Sequence, residues 1–157
     1  MNSLLLKLAI TATVCTLLSS NPTAAQILPP AKRAERVEIT KGPALEGARE
    51  DVAIIRWITN NPGGTDVHFG VVHYGTDPKD LSQMAKSQIR LNRGHPETIF
   101  RVRMPGLKPQ TTYYYKVTST EITGKSDGVE SRVNQFTTPG PGERIVANPP
   151  QPDPQPK

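Results

Sequence analysis

Cysteine is almost missing from this chain. Cys15 is the only one in 157 residues, and it lies in an apolar stretch near the amino terminus. Downstream of it there is no thiol to form a disulfide or act as a nucleophile, so that part must be held together by its core alone. Aromatic residues are scarce at 5%. No cluster of Lys and Arg alternates with them, so no nucleic-acid partner is expected. No apolar run reaches the roughly 18 to 20 residues needed to cross a bilayer. No segment repeats, and none sustains a helical period. The formal charge is modest, +5, which favours solubility and weak attraction to anionic surfaces.

What is present divides the chain into four parts. Lys7 and the amino terminus supply positive charge, residues 8–18 are apolar, and residues 19–25 are small and polar. Thr23, Ala24 and Ala25 form a cleavage site before Gln26, so residues 1–25 read as a signal peptide. Its removal would leave a secreted or periplasmic chain with no stable membrane insertion. Residues 26–35 form a linker containing Pro29 and Pro30. Residues 36–139, about 100 residues, are enough for one hydrophobic core. Residues 140–157 read as a Pro-rich disordered tail, since seven of the 16 prolines lie between 139 and 157. A Pro-x-x-Pro spacing there arises by composition, and a spacer is the simpler reading.

The central part is strand-like throughout. Residues 37–39 alternate, and residues 52–59 are β-branched and apolar up to the turn at residues 60–64. Residues 67–74 make a third strand, closed by Gly75, Thr76, Asp77 and Pro78. Residues 81–85 fit a short edge strand or one helical turn. Residues 98–104 alternate cleanly. A Pro/Gly corner at residues 105–109 leads into the Tyr-rich strand at residues 112–120. Residues 124–128 read as a turn, and residues 130–138 as the last strand. About seven strands in two antiparallel sheets make an all-β sandwich of immunoglobulin-like type. The two-residue period assigns Ala53, Ile55, Trp57, Phe100, Val102, Met104, Tyr113, Tyr115 and Val117 to the core, with Val72, Tyr74, Leu107 and Phe136. Val133 and Phe136 fall out of phase with one strand, and a bulge or twist would reconcile them.

Trp57, Leu107 and Tyr113 define the fold. The run Gly106, Leu107, Lys108, Pro109 ahead of Tyr113 resembles the tyrosine corner of fibronectin type III domains. More narrowly, three motifs resemble the fibronectin-like N-terminal domain of purple acid phosphatases. They are Val-His-Tyr-Gly-Thr-Asp-Pro at residues 72–78 followed by Leu81 and Ser82, the corner with Thr112, Tyr113, Tyr114 and Tyr115, and Phe-Thr-Thr-Pro at residues 136–139. The resemblance spans residues 36–139. It implies a catalytic domain after the sandwich that supplies the metal ligands. The Gly-Asp-x-x-Tyr, Gly-Asn-His and Gly-His-x-His blocks of such a domain do not occur in these residues.

A di-metal site needs about six or seven ligands held from several strand ends. His68 with Asp66, and His95 after Gly94, do not supply that set. His68 reads as a sheet residue and His95 as a loop residue before Pro96. No Gly-x-Ser-x-Gly elbow supports a nucleophilic triad. The glycine-rich stretches join strands, so they are turns and not phosphate cradles. No catalytic residue, metal or cofactor is expected.

Two surfaces remain as candidate binding sites. If Val72 and Tyr74 face the core, Phe69, Val71 and His73 face outward beside Tyr114. On the other sheet Arg56, Arg101 and Arg103 form a stripe suited to anions, with Glu38 placed to neutralise part of it. The sequence thus describes an exported, non-catalytic binding or scaffold module. Its partner would be a protein or a cell-envelope polymer. The alternative is an accessory domain paired with a separate phosphatase chain.

Overall fold

The computed structural model describes residues 32–92 and 94–147. Residues 1–25, read above as a signal peptide, most of the expected linker and residues 148–157 of the expected tail lie outside the described residues. Nine strands follow in order: β1 (Ile39–Arg49), β2 (Val52–Asn60), β3 (Val67–Gly75), β4 (Gln83–Arg90), β5 (Glu97–Pro105), β6 (Thr112–Glu121), β7 (Ser126–Glu130), β8 (Asn134–Thr137) and β9 (Arg144–Val146). One sheet runs β5-β2-β1-β9 and the other β4-β3-β6-β7, with β8 also paired to β6. All pairings are antiparallel. Among the described residues no helix is long and apolar enough to cross a membrane.

Alternation along β2, β5 and β6 drives the packing. One face of each strand is apolar, so the two sheets close on each other and remove that face from water. All thirteen side chains assigned to the core by period are buried in one cluster. Trp57 stacks on Phe100 at 5.1 Å between ring centroids. It reaches the opposite sheet because Gly70 has no side chain, and a Cβ there would come within 2.9 Å of Trp57 Cη2. Tyr74, Tyr113, Tyr115 and Phe136 pack ring against ring at the other end of the core. Burial pushes the Tyr115 phenol up to about 12. The corner closes as its sequence suggests: the amide of Lys108 donates to the Tyr113 hydroxyl oxygen at 2.9 Å.

Five stretches differ from the sequence pattern. The first strand begins at Ile39 and continues to Arg49, with register shifts between Ile39 and Lys41, Lys41 and Ala44, and Leu45 and Gly47. Those bulges let a strand contain Gly42 and Pro43. Residues 83–90 form a full edge strand, not one turn. Residues 130–138 are not a single strand. At Ser131 the chain leaves the sheet, held by bonds between its amide and the Val117 carbonyl and between its hydroxyl and the Val117 amide. β7 and β8 then pair in turn with the same edge of β6. The out-of-phase Val133 marks that break. Ser126 already belongs to β7, so the turn lies at Glu121–Gly124, where the Gly124 amide donates to the Glu121 carbonyl. Finally, β9 lies where composition places the tail, and it pairs with Gly47, Ala48 and Arg49.

Candidate functional site

On the outer face of the five-stranded sheet, strand register sets three rows. His73 lies between Met84 and Lys116, Val71 between Lys86 and Thr118, and Phe69 between Gln88 and Thr120. Tyr114 stands opposite Gly75 and Gln135. His73 and Tyr114 are half-buried on this face. Two expectations change. Val71 is buried at 6% exposure, because Lys86 and Thr118 flank it, and it offers no accessible surface. Phe69 lies six residues along β3 from the Gly75–Tyr114 pair, about 20 Å at strand rise, so the four residues do not form one patch. The ring of Phe69 is also covered, with Lys86 Nζ 3.7 Å from its centroid.

The face instead has a shallow groove of about 530 Å³ over His73, Lys116 and Thr118. Pro78 and Leu81, from the β3–β4 connection, form one wall, and Val133, from the β7–β8 connection, forms the other. Val133 is 47% exposed, and Met84, next to His73, is 60% exposed. The floor is ordered by local pairs. His73 Nε2 lies 3.3 Å from Thr118 Oγ1, and Lys116 Nζ donates to Glu130 Oε1 at 2.9 Å. The groove combines aliphatic walls with a polar, mostly paired floor. Of the residues expected on this face, His73 lines the groove and Tyr114 does not; Leu81 and Val133 line it and were not expected. The available signal was the phase break at Val133.

The arginine stripe on the four-stranded sheet is rearranged. Arg56 and Arg101 face each other across β2 and β5, where like charges repel. Glu46 resolves the conflict. It is the extra residue of the bulge between Leu45 and Gly47, and its carboxylate accepts two hydrogen bonds from the Arg101 guanidinium. That bond holds the Arg101 ionisation above its ordinary value. Glu38 pairs instead with Arg36, at 3.4 Å. Arg103 keeps its exposed place and has no ion-pair partner among the described residues.

A third polar group lies in the interior. His68 is fully buried, on the core side of β3. Its Nδ1 is 2.9 Å from Asp127 Oδ2, and its Nε2 is 3.0 Å from the Gly63 carbonyl and 2.9 Å from that of Thr65. Carbonyls only accept, so Nε2 carries hydrogen and donates to them. The pair is closed over by residues 33–34, since the Ala34 amide bonds the Asn61 carbonyl and Arg33 packs on Gly63. A buried imidazole with both nitrogens satisfied is a structural element here. Among the described residues no group of three or more His, Cys, Asp or Glu stands ready to hold a metal.

Residues 43–138 match the family described as purple acid phosphatase, N-terminal domain. The solution structure of the sensor domain of the anti-sigma factor RsgI4 in Pseudobacteroides cellulosolvens is 18% identical, covering 78% of this chain and 91% of that one, with a TM-score of 0.47. The third fibronectin III domain of human KIAA0343 protein is 16% identical, covering 87% of this chain and 99% of that one, with a TM-score of 0.36. No curated protein matches the chain.

Proposed function

The chain belongs to the family of purple acid phosphatase N-terminal domains, and from that premise we propose that it is an exported, non-catalytic β-sandwich module. It docks on a partner protein through the groove of the five-stranded sheet. The observation that carries this reading is the exposed Val133, which with Pro78 and Leu81 walls the groove over the half-buried His73. Export is supported by the pattern of residues 1–25, and the non-catalytic role by the family match, which is to the N-terminal domain. The Pro-rich residues after β9 act as a spacer.

A second reading is favoured by the family match itself. In it the partner is a metallophosphatase chain, and this module is its separate N-terminal domain. One experiment addresses both. Tagged wild-type protein and the variants Tyr114→Ala and Val133→Asp are used to recover partners from the native extracytoplasmic fraction. A protein captured by wild type should be lost or reduced at least fivefold with Val133→Asp, and to a lesser extent with Tyr114→Ala. Equal capture by all three would refute docking through this groove. Metal-dependent phosphomonoesterase activity in the captured protein would favour the second reading.

A further inference from the structure

We propose that the outer face of the four-stranded sheet carries a second docking site: an aliphatic trough rimmed by arginines that takes an extended acidic segment of a partner protein, anchored by one aliphatic side chain. This site lies on the sheet opposite the groove above and does not depend on that reading.

Strand register builds the trough. Val146, Gly47, Ile54 and Arg103 form one row across the sheet, and Arg144, Arg49, Val52 and Pro105 the next. Gly47 supplies the depression: it has no side chain, and a Cβ there would already sit 3.2 Å from the Ile145 carbonyl oxygen. Val52 and Ile54 form the floor beside it, and β9 the wall, with Val146 on this face and the Ile145 carbonyl beside Gly47, in a groove of about 520 Å³. Val146 is 63% exposed.

Charge selects the occupant. Arg49, Arg103 and Arg144 line the groove, and none has an ion-pair partner among the described residues. Asp51 is the one carboxylate in the lining. Of the nearby acids, Glu46 lies outside this lining, while Glu50 and Glu143 line an adjoining cleft with Arg49, Asp51 and Arg144. Glu46 holds Arg101, Glu50 accepts from the Gly142 amide at 3.2 Å, and Glu143 accepts from the Gly140 amide at 3.1 Å. Three cations against one anion favour an acidic ligand, and guanidinium forks bind carboxylates bidentately. Arg49 on β1 and Arg103 on β5 are two strand spacings apart, roughly 10 Å. Acidic residues on either side of a central anchor would reach both.

The aliphatic floor argues for a peptide. A branched side chain fills it and removes Val146 from water, whereas a uniformly charged polymer leaves it empty. A second copy of this chain would bring like-charged arginines together across a twofold contact.

The test uses fluorescence anisotropy with a labelled hexapeptide of Glu and Asp around a central Leu. Saturable binding to wild type is expected. It should weaken at least tenfold with the double variant Arg103→Ser/Arg144→Ser, and tenfold when Ser replaces the peptide Leu. Val133→Asp, on the other sheet, should leave it unchanged. Circular dichroism confirms that the variants fold, since the substituted arginines are exposed. The proposal is overturned if the peptide does not bind, or if the Ser peptide binds as well. Tighter binding of heparin or phosphatidylglycerol vesicles also overturns it.

Discussion

Asp127→Ala should destabilise the domain by about 3 to 5 kcal/mol, the usual cost of removing one partner from a buried pair. Both side chains of the pair are completely inaccessible. Without Asp127, the Nδ1 of His68 is left in the interior with no partner, while Nε2 stays tied to Gly63 and Thr65. The cost is one of desolvation, because an unpaired buried polar group loses its water and gains nothing in return. Two further variants separate this from simple loss of packing. Asp127→Asn keeps the shape and an acceptor, and should cost much less. A double change to His68→Leu with Asp127→Val removes both polar partners, and should cost clearly less than the sum of the two single losses. Urea midpoints at constant slope give all these values. A loss below about 1 kcal/mol for Asp127→Ala would mean that the pair is not closed off in solution.

The second large effect is expected at Trp57. Its side chain is fully buried, stacked on Phe100, and pressed against the bare backbone of Gly70. Trp57→Ala should cost about 3 to 5 kcal/mol, from lost transfer energy and from a cavity that rigid strands on both sides cannot close. Domains of this size have only about 5 to 15 kcal/mol in total, so the variant should be close to unfolding at body temperature. Trp57→Phe is the informative control. The indole Nε1 of Trp57 has no hydrogen-bond partner among the described residues. Replacing Trp by Phe therefore removes volume but no hydrogen bond, and about half the cost should return. Equal losses for Phe and Ala would show that the ring system of Trp57 is held by something other than packing.

How far these features could be read from sequence depended on whether the signal was local. Trp57, Ile55 and Ala53 alternate within one strand, so their faces followed from period alone. The corner at Tyr113 was legible because glycine and proline fix its turn and the tyrosine lies five residues beyond Lys108. The His68 position was read as a sheet residue, but its partner was not. Asp127 is 59 residues away, in a segment whose glycines pointed to a turn. β9 was hidden for a different reason. Three residues show no period, and their pairing with β1 depends on the tight turn closed by Glu143 on Gly140. The proposed binding faces were the least legible. The Arg101–Glu46 bond rests on a bulge in β1, and the Val133 wall on a break between two strands that share one edge. Both are irregularities of register: period flagged the second through the out-of-phase Val133 without showing the wall it makes, and recorded nothing of the first.

Those irregularities are also what the functional account rests on. Regular alternation builds the sandwich, while the connections at residues 76–82 and 131–133 rise from it to make a groove. The central claim is that this groove meets a partner. The direct measurement is site-specific photo-crosslinking in exporting cells, with a photoreactive side chain at position 133 and, as a control, at position 122. Both positions are exposed apolar sites in the native chain, Val133 at 47% and Ile122 at 52%. The account predicts a discrete protein adduct from position 133 and none from position 122. An equal adduct pattern from both positions, or an adduct from position 122 alone, would contradict it.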